Sequence, residues 1–457
     1  MTRLVVVSNR VSIPEAGKPQ AGGLAVAITG ALSEHGGLWF GWDGRIKQVP
    51  SNHPGVVTRD NVDYATLSLS KDDYDDYYLG FANEVLWPVF HFNLGAMDFR
   101  LDYLKAYTRV NARFADALTP LLQGGELIWV HDYHLLPLGK ELRQRGVRAP
   151  LGFFLHIPFP SYDLLRALPC HRELLEDLLY YDLVGFQTEN DLHAFHAALV
   201  ETFGARIDGD IVECQGRRMR TGVYPVGIEV DEAIAEAESA IAEDPARQFQ
   251  ADLGKRDLII GADRLDYSKG LVQRFNAIET LLTHFKHRRQ RTIFMQIASP
   301  SRSEIPEYDE LRRQLEGLAG HINGTYADID WLPVHYLNQT YAHGDLMGLF
   351  RAARVGLVTP LRDGMNLVCK EFVAAQDPAD PGVLVLSELA GAARELSGAL
   401  LVNPYDVHDI TSAIERALNM PLDERRHRHR QMLEVLRRNS LLAWRQRFID
   451  DLAHKPD

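Results

Sequence analysis

The chain has 457 residues, of which 46% are hydrophobic and 24% charged, with a formal net charge of −13. That composition is ordinary for a globular protein of two or more domains, and a core of this size needs no disulfide support. The acidic balance speaks against nonspecific nucleic-acid binding and against an anionic membrane surface, and no apolar run approaches the ~20 residues needed to span a bilayer. In chain order, the first element is a strand, Leu4–Val7, with no basic-plus-apolar leader before it, so a cytoplasmic location is expected. This strand runs into Ser8, Asn9 and Arg10, and a loop then leads to Gly22 and Gly23, a pair suited to close backbone approach to a phosphate. The aromatics Trp39, Phe40 and Trp42 read as core. Strand Leu127–Val130 ends in His131, Asp132, Tyr133 and His134, and strand Leu151–Leu155 ends in His156. Strand Leu183–Phe186 precedes a helix start at Thr188 with a capping-box-like pattern.

From Gly204 to Gly222 the chain is Gly-rich and charged, a hairpin or irregular crossing, and a break follows at Val223–Ile228. Asp231 opens an acidic amphipathic helix. Strand Leu258–Gly261 runs into Arg264 and Lys269, which bracket a loop that opens a helix at Gly270. Strand Thr292–Ile297 leads to Arg302, and strand Val355–Val358 leads to Asp363, Gly364 and a helix from about Asn366. Val383–Leu386 is a further strand, and the stretch from Asp423 is helical, carrying Trp444 and Phe448. Continuous apolar strands alternating with helices predict an α/β chain with parallel sheets covered on both faces. The expected organisation is two Rossmann-like domains facing a cleft, residues 1–226 and 227–440, with a C-terminal helix over 441–457 crossing back to the first.

The chemistry concentrates just after strands. Two cations, Arg264 and Lys269, at a helix N-terminus suit a diphosphate: each offers about 4 kcal/mol of Coulomb attraction at ~4 Å and an effective dielectric of ~20, whereas the helix terminus adds about 0.3–1 kcal/mol. No metal is then required. Asp363 at the turn and Glu371 one turn into the next helix would repel a bare phosphate but suit sugar hydroxyls beside one, so a nucleotide sugar is the expected ligand. Arg10 and Arg302 form a second cationic pair, suited to a phosphate monoester. The group His131, Asp132, His134 and His156 contains metal-ligand types, but its spacing fits no zinc motif, and acid/base or hydroxyl-binding roles fit better. No G-x-G-x-x-G follows the first strand, which speaks against a nicotinamide-dependent oxidoreductase, and no P-loop is present. Cys170, Cys214 and Cys369 match neither a disulfide framework nor a zinc pattern and point to a reducing compartment.

Taken together, the segments Leu4–Arg10, Ala21–Leu24, Tyr77–Tyr78, Leu86–Pro88, Trp129–His134, His156–Pro160, Gly185–Thr188, Arg264–Gly270 and Thr359–Val368 with Lys370 and Glu371 resemble the trehalose-6-phosphate synthase family. The resemblance implies the glycosyltransferase B fold, retention at the transferred carbon, UDP-glucose as donor and glucose 6-phosphate as acceptor, with no metal or further cofactor. It implies that Gly22, Gly23, Arg264, Lys269, Tyr341, Asp363, Gly364, Met365, Asn366, Leu367, Val368 and Glu371 bind the donor. Arg10, Tyr78, Trp87, Asp132 and Arg302 would bind the acceptor, with Asp132, His156, Arg264, Lys269 and Asp363 closest to the chemistry. From Asp231 onward no D-x-D-x-[TV] phosphatase motif occurs, so the product is expected to leave phosphorylated. A glucosylglycerol-phosphate synthase, a related coupling enzyme or a silent sugar-phosphate sensor are the alternatives, and the donor base and oligomeric state stay open.

Overall fold

A computed structural model describes residues 2–14, 28–30, 32, 36–242, 253–302 and 304–454. The chain divides into two compact units, Met1–Pro225 with Leu442–Asp457, and Val226–Leu441.

In the first unit the strands are β1 (Leu4–Arg10), β2 (Gly37–Ile46), β3 (Gly55–Arg59), β4 (Val62–Leu69), β5 (Leu127–His131), β6 (Leu151–Phe154), β7 (Leu183–Phe186), β8 (Arg206–Asp208), β9 (Ile211–Cys214) and β10 (Arg217–Val223). Among the described residues they make one sheet in the order β3-β4-β2-β1-β5-β6-β7-β10-β9-β8. Pairing is parallel from β4 to β10 and antiparallel at both margins. The central strands are buried along their length, which is why they read as unbroken apolar runs rather than alternating ones. The expected hairpin over 204–222 is the β8-β9-β10 meander, whose last strand joins the main sheet beside β7. Strand β2 was not anticipated as a strand. Its buried Trp39, Phe40 and Trp42 are interrupted by Gly41, where a Cβ would collide with the Ser8 carbonyl of β1.

Trp444 and Phe448 of the Leu441–Ala453 helix close the sheet of the first unit, with ring centroids 4.9 and 4.7 Å from that of Trp129. The ring of Phe448 fills the space that a side chain at Gly152 or Gly185 would take, and Tyr224 donates to Asp451 at 2.7 Å.

The second unit contributes β11 (Asp257–Arg264), β12 (Thr292–Ser299), β13 (Val334–Leu337), β14 (Val355–Val358), β15 (Val383–Ser387) and β16 (Leu400–Val402), all parallel in the order β13-β12-β11-β14-β15-β16. In each sheet the strand order reverses beside the first strand: β1 lies between β2 and β5, and β11 lies between β12 and β14. Such a switch point opens a crevice at the carboxyl ends of the flanking strands, where ligands bind in open α/β sheets. It places the loops after β1 and β5 together in one unit, and those after β11 and β14 together in the other. Among the described residues no helix is long and apolar enough to cross a membrane.

Candidate active site

In the second unit the loop after β11 is built by buried polar groups. Asp266 is fully buried and accepts the Ser268 N–H (2.9 Å), which caps the short turn Tyr267–Lys269. Arg274, also fully buried, holds the loop from beneath: it donates to Asp263 (2.5 Å), Gln296 (3.2 Å), Thr359 Oγ1 (3.0 Å) and the Lys269 carbonyl (3.1 Å). Gly270 has φ of 67°, and a Cβ there would strike the Thr359 carbonyl, so the loops after β11 and β14 touch backbone to backbone. The result delivers Lys269 Nζ to Asp363 Oδ2 at 2.6 Å. Arg264 ends β11 with its side chain exposed.

The loop after β14 is fixed equally well. Asp363 donates its N–H to the Leu389 carbonyl (3.3 Å), and its own carbonyl accepts from Gly391 (3.2 Å). A Cβ on Gly391 would run into the Gly364 carbonyl, so glycine is required for that approach. Asn366, at φ 75°, donates to Asp363 Oδ2 (3.0 Å) and caps the Leu367–Ala375 helix by accepting from the Cys369 N–H (3.1 Å). The amides of Leu367 and Val368 are the first of that helix and lack an intrahelical acceptor by position. Asp363, Gly364, Met365, Asn366, Leu367, Val368 and Lys269 therefore form one cradle. A cation and helix amides to hold phosphate lie beside a carboxylate and an amide suited to hydroxyls.

Neighbouring residues divide into supports and ligating candidates. Lys370 is fully buried and donates to the Val226 carbonyl (2.7 Å) and Glu395 (2.5 Å), so it anchors the helix rather than facing a ligand. Cys369 is buried, and burial pushes its thiol well above the usual range, as suits a packing residue. Glu371 turns its carboxylate toward His343, with Oε1 3.5 Å from Nε2. Tyr341 precedes the His343–Ala352 helix and its hydroxyl accepts from Gln339. Arg302, in a left-handed backbone conformation (φ 45°), bonds Asp266 (3.0 Å) and the Tyr308 hydroxyl (2.5 Å). The same buried carboxylate thus orders both the Lys269 turn and Arg302.

In the first unit Arg10 ends β1 with its guanidinium 5.9 Å from the centroid of Trp42. Trp42 lies 5.5 Å from Tyr78, which stacks on Tyr74 (5.5 Å) and on His134 (5.9 Å). Tyr78 belongs to a π-helix, Tyr74–Leu86, which runs directly into Trp87. Asn83 of that helix donates to the Tyr78 carbonyl (2.6 Å) and accepts from Tyr133 (3.0 Å), tying the helix to the loop after β5. Trp87 stacks on His91 (3.9 Å) and packs against Tyr133 (5.7 Å). Asp132 sits at φ 76° and accepts the His156 N–H (3.3 Å). His156 Nε2 lies 3.0 Å from Nδ1 of the fully buried His131. Burial pushes His156 down to about 3 and His131 well below its usual range, so both imidazoles are neutral near pH 7. Among the described residues no group of three His, Cys, Asp or Glu side chains has the geometry to hold a metal ion.

The structure brings Arg10, Tyr78, Trp87, Asp132 and His156 to the switch point of the first sheet, linked through Trp42, His134 and Tyr133. It brings Arg264, Lys269, Asp363–Val368 and Arg302 to the switch point of the second. Gly22 and Gly23 lie outside the described residues. Residue-by-residue reading of the sequence, before the resemblance, singled out neither Tyr78 nor Trp87. A π-helix has no 3.6-residue stripe, so the only local signal was the density of aromatics between Tyr74 and Trp87. It also missed Arg274, since a buried charge with distant partners leaves no local pattern.

The model of glycosyltransferase family 20 matches residues 3–454. A trehalose-6-phosphate synthase of Enterobacter sp. (strain 638) is 51% identical over 454 residues, covering 99% of this chain and 95% of that protein. Among solved structures, an alpha,alpha-trehalose-phosphate synthase (UDP-forming) from Burkholderia xenovorans in complex with glucose-6-phosphate superposes with a TM-score of 0.95 at 48% identity, covering 99% of this chain and 100% of that one. A chain described as trehalose-6-phosphate from E. coli bound with UDP-2-fluoro glucose superposes with a TM-score of 0.94 at 48% identity, covering 99% of each. The two parallel-rich sheets are those of the glycosyltransferase B fold expected from the sequence. A match that runs from Arg3 to His454 leaves neither switch point outside it, and on that ground the chain belongs to glycosyltransferase family 20.

Proposed function

We propose that this chain is a retaining glucosyltransferase that moves glucose from UDP-glucose to glucose 6-phosphate, giving α,α-trehalose 6-phosphate and UDP. The observation that carries the reading is the cradle after β11 and β14. Lys269, Asp363 and Asn366 share hydrogen bonds at the N-terminus of the Leu367–Ala375 helix, so one short segment offers a cation, amides and a carboxylate to a diphosphate and its attached sugar. The similar chains carrying glucose 6-phosphate and a UDP-2-fluoro glucose support both substrates.

In this reading Arg264 and Lys269 hold the diphosphate, Asp363 and the amides near Gly364 hold the glucose, and Glu371 holds the ribose hydroxyls. Arg10, Tyr78 and Arg302 are assigned to the acceptor phosphate, Trp87 and Asp132 to its sugar, and His156 to the donor sugar. The bond from glucose C1 to the diphosphate oxygen breaks with its electron pair going to that oxygen. The anomeric hydroxyl of glucose 6-phosphate attacks C1 on the same face, and its proton passes to the departing diphosphate. Retaining hydrolases place two carboxylates across the bond, whereas among the described residues Asp363 and Asp132 are already assigned to holding the donor and acceptor sugars. Charge developing on the leaving group is met by Arg264 and Lys269, an electrostatic contribution that needs no metal. The neutral His156 donates or accepts a hydrogen bond without adding charge near C1. Three buried free cysteines fit a reducing, cytoplasmic setting.

A donor-by-acceptor matrix of UDP-, GDP- and ADP-glucose against glucose 6-phosphate, other sugar phosphates and glycerol 3-phosphate, read as nucleotide release, tests the assignment. The expected maximum is UDP-glucose with glucose 6-phosphate. Faster turnover with glycerol 3-phosphate would favour a different coupling enzyme, and binding without turnover would favour a sensor.

A further inference from the structure

His343 opens the His343–Ala352 helix, and its imidazole lies between two carboxylates of the same unit. Nδ1 is 2.5 Å from Glu236 on the Val230–Ala242 helix, and Nε2 is 3.5 Å from Glu371 on the Leu367–Ala375 helix. We propose that His343 is a positioning residue for the nucleotide-sugar donor: anchored by Glu236, it fixes the carboxylate of Glu371 so that its remaining oxygen meets the ribose hydroxyls. The inference rests on the assignment of Glu371 to the ribose made above.

Three observations support it. A positive charge in the first turn of a helix is disfavoured by the helix dipole, so a charged His343 is not there to stabilise its own helix. Asp345, in the same turn, is the residue that suits that end. Two carboxylates outweigh the dipole: Glu371 first and Glu236 second push the imidazole up to about 9, so it is charged near neutral pH. Finally, the two ring nitrogens are committed to different helices. That fixes the plane of the ring and gives Glu371 a partner of set direction, which a flexible lysine would not. Glu371 is 20% exposed and His343 45% exposed, so the contact borders solvent, where a ligand has access.

The test compares UDP-glucose with its 2′-deoxyribose counterpart in wild type, His343→Ala, His343→Arg and Glu371→Gln, with a thermal melt of each. Glu371→Gln is expected to raise the UDP-glucose KM about 10-fold, the scale of a charged hydrogen bond, and to abolish preference for the ribose donor. His343→Ala is expected to raise that KM about 3- to 5-fold, the scale of a partly exposed ion pair, and to reduce the ribose preference by the same factor. Its kcat and acceptor KM are expected to stay at the wild-type values. His343→Arg is expected to restore most of the preference. Equal losses on both donors in His343→Ala would mean a structural role and overturn the proposal, as would an unchanged preference. If Glu371→Gln keeps the preference, the ribose assignment of Glu371 is wrong and the positioning role falls with it. If Glu371→Gln loses it while His343→Ala keeps it, only the role of His343 is overturned.

Discussion

Replacing Lys269 by alanine tests the electrostatic core of the mechanism. Its ammonium lies 2.6 Å from Asp363 Oδ2, with the two side chains 10% and 14% exposed. In the proposed reaction, the leaving diphosphate gains negative charge beside this ammonium as its bond to glucose C1 breaks. One unit of charge at ~4 Å and an effective dielectric of ~20 is worth about 4 kcal/mol. Asp363 shares the ammonium and cancels part of that field, and with about half surviving the loss is about 2 kcal/mol, or about 30-fold in kcat. Attraction to the charge already present in the ground state is lost as well, so the donor KM rises too. The assay is UDP release at saturating glucose 6-phosphate over a range of UDP-glucose. Removing one member of a largely buried pair also destabilises the fold, so a thermal melt and a Lys269→Gln control accompany it. A raised donor KM with unchanged kcat would refute the argument, because the charge would then bind the ground state and transition state alike.

Other consequences are checked separately. Arg10→Ala should raise the glucose 6-phosphate KM by about 1.5–3 kcal/mol in binding terms while leaving the donor KM unchanged, and a change confined to the donor would contradict its acceptor role. Trp444→Ala should destabilise the first unit by about 3–5 kcal/mol, read from denaturant unfolding, because its ring packs on Trp129 and Phe154 with no solvent exposure. His156 is pushed down to about 3 in the folded chain, whereas an unfolded histidine protonates near ~6.5. Its contribution to stability is therefore complete above about pH 6.5 and lost as pH falls toward 3, so between pH 7 and 4 the Tm of wild type should drop more steeply than that of His156→Asn. Parallel curves would show that the imidazole is not held neutral. Treatment with EDTA should leave turnover unchanged, and recovery of lost activity by added Mg²⁺ would show that the cations do not suffice.

The fold was legible where burial is two-sided. Leu4–Val7, Leu127–Val130 and Val355–Val358 announce themselves because a strand covered on both faces has no polar positions to break the run. Strand β2 was hidden because its aromatics are separated by Gly41 and followed by Asp43 and Gly44, residues that read as a turn. The cradle after β14 was legible because its parts are adjacent in sequence: a strand, a Gly turn and a capped helix fall within Val355–Ala375. The supports were not. Arg274 reaches Asp263 in β11, Gln296 in β12 and Thr359 after β14, contacts that only the sheet order creates. Tyr78 and Trp87 gain their positions from a π-helix, whose backbone geometry is set by tertiary packing rather than by a periodic stripe. His343 stood in an unremarkable stretch, and its two carboxylate partners come from helices before and after it in the chain.

The most direct measurement is proton NMR of the reaction of the purified chain with UDP-glucose and glucose 6-phosphate, following the configuration of the first-formed product alongside UDP. The account requires one UDP per α,α-linked disaccharide phosphate, with the α configuration of the donor kept. A β-linked first product, or UDP released at the same rate with free glucose and no disaccharide, would contradict it.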